Sequence, residues 1–187
     1  DQWNAFAADT ANATKATNVF VLGADIDFSG KTFKPVPNLS AKFYGTNHIL
    51  SNISYAFGSA AGGLFKVAAA TAVITDMSLK NVNFTGIDSD GGFICGTSAA
   101  SVLNCHVIGK LTGVSRSSRG IGGIIGNLNG GTVNIYRCSL FADFTLDGVH
   151  DGGVGGIFGD ILTNTNINVY DCLVIAKYKI SNQDLWF

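Results

Sequence analysis

The chain has 187 residues, of which 24 are glycine, 13% are charged and 47% are hydrophobic. This hydrophobic fraction excludes intrinsic disorder, which requires low hydrophobicity and high net charge. The net charge of −1 argues against a nucleic-acid partner, which would need a basic surface. The longest apolar run is too short for a membrane span. The length favours one domain over residues 1–187.

Residues 1–16 predict a short amphipathic helix that caps the rest of the chain. Trp3, Phe6 and Ala7 recur at helical spacing and therefore share one face. A stack of β-strands needs such a cap, because an exposed terminal strand is a template for aggregation.

Residues 62–187 contain two linked units that each occur four times. The first is Gly-Gly-apolar-apolar, and its copies begin 29, 31 and 33 residues apart. Its glycines are Gly62 and Gly63, Gly91 and Gly92, Gly122 and Gly123, and Gly155 and Gly156. The second is apolar-x-polar-Cys/Met-x-apolar, centred on Met77, Cys105, Cys138 and Cys172. Motifs that recur together at one period indicate a repeat architecture.

This period of about 30 residues predicts an all-β solenoid, a single-stranded parallel β-helix. Between the glycines the chain alternates apolar and polar residues over short stretches, which is typical of strands, and the runs that helical repeats require are missing. One such unit cannot bury its own apolar face, but it can stack on its neighbours with parallel strand pairing. We expect leading coils over residues 17–61 and four repeats over residues 62–187.

The stacking assigns roles to the repeated residues. The paired glycines are expected at corners, where a positive φ or a close backbone approach is needed. Met77, Cys105, Cys138 and Cys172 are expected to form an inward ladder in the core. Disulfides between adjacent coils remain an alternative, in which Cys95 could take part if its corner folds inward. A metal site is disfavoured because a ladder spreads its ligands along a line.

The repeats resemble the GLUG-type repeats of large bacterial surface proteins, adhesins and some secreted peptidases. The resemblance rests on Gly-Gly-Leu-Phe, Gly-Gly-Ile-Ile-Gly and Gly-Gly-Ile-Phe-Gly, each followed by an apolar-x-polar-Cys/Met segment, and on residues 21–53 before them. It implies a right-handed parallel β-helix in a non-catalytic, extracellular part of a protein. Lys66 replaces a repeat glycine and Cys95 shifts the next one to Gly96, which indicates altered corners.

Several polar clusters are candidates for chemistry. A histidine between carboxylates, as in Asp147, His150 and Asp151, can serve acid–base catalysis, although a glycine-punctuated loop explains it equally. Asp25 and Asp27 flank one residue and so share a strand face, which fits either a glycosidase or lyase pair or a solvated face.

Three other groups are weaker candidates. Asp88, Asp90 and Asp160 adjoin glycine-rich segments similar to calcium-binding repeats, but their spacing does not match. The basic loop of Arg116 and Arg119 with Ser115, Ser117 and Ser118 is expected to solvate a turn, and His48 and His106 are expected to be structural. Glycosylation sequons occur at Asn12, Asn38, Asn52 and Asn83.

The leading hypothesis is a non-catalytic extracellular module that acts in surface adhesion or as a scaffold. Its partners would be a glycan or the surface of another protein. A homo-oligomer or end-to-end filament is also considered, with contacts through Trp3, Phe6, Trp186 and Phe187. The alternative is a polysaccharide-degrading or polysaccharide-binding β-helix. No catalytic residue, cofactor or metal is assigned.

Overall fold

The computed structural model describes residues 2–115, 119–149, 152–162 and 164–183. Within these residues the chain is all-β and winds as a parallel β-solenoid of about 4 turns, with coils of about 31 residues. The predicted fold class, coil length and N-terminal helix are therefore confirmed. The hand of the coil stays a prediction.

Two short helices, α1 (Gln2–Ala8) and α2 (Thr10–Ala13), close the first coil. The Trp3 side chain is only 2% exposed, its ring stacks on Phe33 with centroids 6.0 Å apart, and its indole Nε1 donates to the Lys34 carbonyl at 2.8 Å. The hypothesis that Trp3 contacts another copy is therefore corrected. Its ring is part of the core, because α1 turns this face inward.

Phe6, the other N-terminal aromatic considered for end contacts, is half-buried. Its ring lies 4.4 Å from that of Phe20 and 5.6 Å from that of Phe43, measured between centroids. The Phe6 ring is thus partly covered by packing against the core of the first coil. Trp186 and Phe187 lie outside the described residues.

Three parallel sheets build the coils. The long sheet contains β1 (Val19–Val21), β2 (Ile26–Asp27), β4 (Lys42–Ser51), β5 (Ser54–Ala56), β7 (Val73–Ile87), β9 (Ser101–Ser115), β12 (Gly131–Tyr136), β13 (Ser139–Val149), β16 (Thr165–Tyr170) and β17 (Leu173–Gln183). The short sheet contains β3 (Val36–Leu39), β6 (Phe65–Ala68), β8 (Cys95–Ser98), β11 (Ile125–Leu128) and β15 (Phe158–Ile161). A third sheet pairs β10 (Gly120–Gly122) with β14 (Gly153–Gly155). Each strand pairs with its counterpart in the next coil, so residues of one register form ladders along the axis.

A left-handed residue bends the long sheet in four successive coils. The residues with positive φ are Asp76, Asn104, Arg137 and Asp171, with φ between 49° and 58°. Each directly precedes the Met or Cys of the second repeat unit. Because Asn and Asp tolerate this conformation better than most residues, the polar position of that unit marks a corner.

The glycine pairs lie at the bend that leads into the short sheet, but none of the eight has a positive φ. Glycine is required there by close approach between coils. A Cβ on Gly63 would lie 2.8 Å from the backbone nitrogen of Gly96, and one on Gly92 would lie 2.8 Å from that of Gly126. Of the two reasons offered for these glycines, the close backbone approach is the one that applies.

Aromatic rings form a column through the core. Phe84 stacks on Phe33 at 6.1 Å and on Phe93 at 5.9 Å, measured between centroids. Phe144 continues the column, 6.0 Å from Phe93 and 4.8 Å from Tyr178 of the last coil. The column ties successive coils together by burial of large apolar area.

Candidate functional site

The long sheet carries a concave groove of about 610 Å³ on its outer face, here called the axial groove. It crosses β7, β9, β13 and β17, so it runs along the solenoid axis over four coils. Its lining residues are Asn81, Val82, Asn83, Ile108, Gly109, Lys110, Phe141, Ala142, Asp143, Ile175 and Lys177. Adjacent strands are about 4.8 Å apart, and the groove therefore presents one rung of side chains at each such step.

One wall of the axial groove is apolar. Phe141 is in register with Ile108 on one side and with Ile175 on the other. These side chains are 40%, 51% and 56% exposed, respectively. Alternation along β13 explains this outward direction, because the flanking Leu140 and Ala142 face the core. Three large apolar groups thus form a continuous exposed stripe.

The opposite wall is polar and charged. Asp143 is in register with both Lys110 and Lys177, and Lys110 is in register with Asn83. All four side chains are exposed. Among the residues that the structure describes, none of the three charged groups forms an ion pair. Their charges therefore remain available to a ligand.

The floor is the strand backbone between the two walls. Val82, Gly109 and Ala142 are in register in successive coils, and Ala176 follows Ala142. A Cβ on Gly109 would lie 2.7 Å from the ring of Phe93, which fills the space beneath the floor. Because the side chains of Val82 and Ala142 face the core, the outward-facing residues on either side stand above this floor and make the groove concave.

The sequence did not single out this groove. The alternation around Phe141 predicts a strand, but an alternating strand has two faces, and only the register with neighbouring coils shows that Phe141 faces outward beside Ile108 and Ile175. The groove can hold an extended polymer by contact with the apolar wall and hydrogen bonding to the polar one.

The paired carboxylates Asp25 and Asp27 lie at the first coil. Asp25 Oδ1 accepts from the Ile49 backbone nitrogen at 2.9 Å and lies 2.9 Å from His48 Nδ1. These hydrogen bonds, the backbone one first, lower the pKa of Asp25. Asp27 Oδ1 accepts from Asn52 Nδ2 at 2.8 Å. That bond is the largest cause that lowers the pKa of Asp27 to about 2.

Asp90 is a buried carboxylate, 4% exposed, that joins two coils. Its Oδ1 accepts from the Gly120 backbone nitrogen at 3.0 Å and from Asn127 Nδ2 at 3.2 Å. Its Oδ2 accepts from Thr97 Oγ1 at 2.9 Å and lies 3.5 Å from Arg119 Nη1. Both oxygens are engaged by the protein, which is the arrangement of a structural anchor.

The calcium interpretation of the acidic motifs gains no support from their placement. Asp160 is in register with Asn127 and thus belongs to the same region as Asp90, but its Oδ1 accepts from the Ile161 backbone nitrogen at 2.8 Å. Asp88 is half-buried. Among the described residues, no group of three or more His, Cys, Asp or Glu side chains could hold a metal ion.

The remaining candidates are dispersed. Asp147 accepts from Ser181 Oγ at 3.0 Å, whereas His150 and Asp151 lie outside the described residues. His106 Nδ1 lies 2.9 Å from Ser139 Oγ across one rung. Ser115 ends β9, and Arg116, Ser117 and Ser118 lie outside the described residues.

Of the sequon asparagines, Asn38 and Asn83 are exposed, and Asn83 belongs to the polar wall of the axial groove. The other two have engaged amides. Asn12 Nδ2 donates to Asp9 Oδ2 at 2.8 Å, and Asn52 Nδ2 donates to Asp27 Oδ1. Glycosylation stays a prediction at all four.

Of the residues in the predicted sulfur ladder, Met77, Cys105 and Cys138 are buried and Cys172 is half-buried. Met77 is in register with Cys105, and each cysteine thiol donates to the carbonyl two residues before it, at 3.2 Å in Cys105, 3.4 Å in Cys138 and 3.2 Å in Cys172. All four cysteines, including Cys95 on the short sheet, are free thiols. Burial raises the pKa of Cys95 and of Cys138 to about 12, and raises that of Cys105 well above its ordinary value.

Comparison with known proteins gives limited matches. No family model matches the chain, so membership in the GLUG-type repeats stays a prediction. The chain is 30% identical over 132 residues to Halomucin from Haloquadratum walsbyi, a match that covers 62% of this chain and 1% of that protein. The crystal structure of "a putative immunoglobulin A1 protease from Bacteroides ovatus" is 16% identical with a TM-score of 0.42, over 86% of this chain and 70% of that one. No described helix has the length and apolar character of a membrane span.

Proposed function

We propose that this chain is a non-catalytic, extracellular β-solenoid module that adheres to an extended polymer through the axial groove. The observation that carries the proposal is the apolar wall that repeats from coil to coil, with Ile108, Phe141 and Ile175 in register, beside a polar wall of Lys110, Asp143 and Lys177. A polymer that lies along the axis meets a large apolar side chain and a charged side chain at each step. Each contact is weak, but several made at once add up to useful affinity.

The extracellular setting has one support from the comparisons. The relative from Haloquadratum walsbyi bears the name Halomucin, which is that of a mucin-like protein. The chain spans 1% of that relative's length, so the proposal concerns a module and not the activity of a whole protein. A stiff stack of coils with a long outer groove suits such a module.

Polysaccharide cleavage is the alternative, and the carboxylates at the first coil bear on it. A glycosidase needs one carboxylic acid that stays protonated near neutral pH, which requires a raised pKa. In Asp25 and Asp27 hydrogen bonds lower the pKa, so both stay ionised. Their hydrogen bonds to Ile49 and Asn52 tie the first coil to the next one. This role favours the non-catalytic proposal.

End-to-end assembly is the second component of the scaffold hypothesis, and the two ends differ. At the first coil α1 covers the core, and Trp3 is buried beneath it. At the last coil the side chains of residues 152–162 and 164–181 are all exposed or half-buried. A filament would need the helical cap to move or to serve as the contact itself, which favours adhesion by the groove over stacking by the ends.

Binding without cleavage tests the proposal. Fluorescently labelled hyaluronan and dextran are incubated with the chain, produced without glycosylation so that Asn83 stays unmodified. Bound polymer is measured by anisotropy and polymer length by size-exclusion chromatography. We expect at least one polymer to bind at unchanged length, and Phe141→Ala to weaken binding about fivefold.

The matched control is Tyr170→Ala, which removes an exposed aromatic ring from β16 outside the groove. It is expected to leave binding unchanged. Shortening of either polymer, or equal effects of the two variants, would contradict the proposal.

A further inference from the structure

The axial groove has a local charge opposite in sign to that of the whole chain. Lys110 and Lys177 stand on its polar wall with one carboxylate, Asp143, between them. Lys80 is an exposed lysine beside the lining residues, in register with Ile108. The lining therefore has two lysines and one aspartate, whereas the chain as a whole has 12 basic and 13 acidic residues.

We propose that the axial groove binds an acidic polysaccharide that carries its carboxylates on alternate sugars. This inference rests on the proposed function and names its ligand class. The order of the polar wall, Lys110 then Asp143 then Lys177, alternates in charge from rung to rung. An acidic polymer places an anion beside each lysine and a neutral sugar with its hydroxyl groups beside Asp143.

The distance between Lys110 and Lys177 favours a polysaccharide with a carboxylate on alternate sugars over one with a carboxylate on every sugar. Lys110 and Lys177 are two rungs apart, which is about 10 Å at the spacing of adjacent strands. An extended pyranose chain advances by a distance similar to one rung per sugar, so two rungs accommodate two sugars. A carboxylate on every sugar would place one opposite Asp143, where like charges repel.

The apolar wall supplies the second half of recognition. Sugar rings have apolar faces, and the exposed ring of Phe141 offers a flat surface for them between Ile108 and Ile175. The strand backbone at Gly109 and Ala142 forms the floor on which a ring can sit between the walls. An extended peptide would also fit the width, but it offers no regular anion to the lysines.

Titration with three polymers tests the ligand class. The probes are hyaluronan, with a uronate on alternate sugars, polygalacturonate, with one on every sugar, and dextran, which is neutral. We expect hyaluronan to bind most tightly. Lys110→Ala and Lys177→Ala should each weaken it about threefold, and the double variant about tenfold. Raising NaCl from about 50 to about 300 mM should also weaken hyaluronan binding, because salt screens the attraction between exposed charges.

Asp143→Asn discriminates between the two acidic polymers. Removal of this carboxylate should strengthen polygalacturonate binding about threefold and change hyaluronan binding less. The matched control is Lys42→Ala, which removes an exposed lysine from β4 outside the groove and should have no effect.

The outcomes separate this inference from the proposed function. Groove-dependent binding of dextran with an affinity equal to that of hyaluronan overturns the acidic class and keeps the adhesive groove. A groove that binds an unfolded polypeptide but none of the three polysaccharides overturns the polysaccharide class. Binding that none of the groove variants alters, including Phe141→Ala, overturns both proposals.

Discussion

Asn104 Nδ2 donates a hydrogen bond to Asp76 Oδ1 at 2.7 Å, and both residues hold the left-handed backbone conformation at the same corner of successive coils. The side chains thus bridge the corner that their own backbones create. The same position is taken by Arg137 and Asp171 in the following coils. A strained conformation is tolerated here because each coil is held by its neighbours on both sides.

A β-branched residue at this corner should be costly. Asn104→Val combines an unfavourable left-handed conformation with loss of the hydrogen bond to Asp76, so we expect a decrease of about 2–3 kcal/mol in the free energy of unfolding. Asn104→Gly loses the same hydrogen bond, but glycine adopts the left-handed conformation without strain. It should therefore change the free energy of unfolding by less than about 1 kcal/mol. Urea denaturation followed by circular dichroism measures both. Thr145→Val, at an exposed strand position, is the control, and equal losses for the three variants would contradict the corner assignment.

The close approach between coils makes some glycines irreplaceable. A Cβ on Gly123 would overlap the carbonyl oxygen of Gly156 in the next coil, and backbone cannot yield as a side chain can. We expect Gly123→Ala to destabilise the chain by about 3 kcal/mol or more. Gly23→Ala is the matched control, since a Cβ there meets nothing within 4 Å. Thermal unfolding of the two variants should differ clearly, and similar midpoints would refute the packing argument.

The cysteines should differ in reactivity. Cys172 is half-buried in the last coil, whereas Cys95, Cys105 and Cys138 are buried with a raised pKa, so few thiolates form at neutral pH. Iodoacetamide should modify one thiol of the native chain and four after unfolding, as counted by intact mass spectrometry. Cys172→Ser should abolish native labelling. Modification of Cys138 at the rate of Cys172 would show that the last coil does not cover it.

Acid should lower the stability of the first coil within a defined range of pH. The pKa of Asp27 is about 2 in the folded chain and 3.8 ordinarily, and that of Asp25 is also lowered. A lowered folded pKa stabilises the chain above the ordinary value, and the stabilisation is lost as pH falls from about 4 to about 2. Urea midpoints across this range should fall less steeply in Asp27→Asn than in the parent chain. Asn52→Ala, which removes the main donor to Asp27, should have a similar effect, and parallel pH profiles for all three would contradict the linkage.

The coil and its core could be predicted because they repeat locally. The glycine pairs recur at the coil length, and so does the ladder of Met77, Cys105, Cys138 and Cys172. Stacking of the coils follows because a single unit cannot bury its own apolar face. The helical cap followed from the spacing of Trp3, Phe6 and Ala7. The partners of Trp3 could not be predicted from this spacing, because Phe33 and the others lie far along the chain.

The axial groove could not be predicted from the sequence for a related reason. Its walls combine residues from four coils, and the face on which each lies depends on registers that shift at bulges. One such shift falls between Lys80 and Val82, where Asn81 is an extra residue with a positive φ. A slip of one residue would exchange the exposed and buried faces of a strand. The anchor of Asp90 was missed similarly, since its partners Gly120 and Asn127 belong to the next coil.

Burial falls toward the last described coil, and this gradient has a dynamic consequence. In β17 inward residues such as Val174 and Ile180 are only partly covered, whereas their counterparts Leu140 and Leu146 one coil earlier are fully buried. Repeat stacks open by fraying from the less stable end, because each coil contacts only its neighbours. Amide hydrogen exchange should therefore be fastest in β17, slower in β13 and slowest in β9, so that protection against exchange follows the burial of each strand.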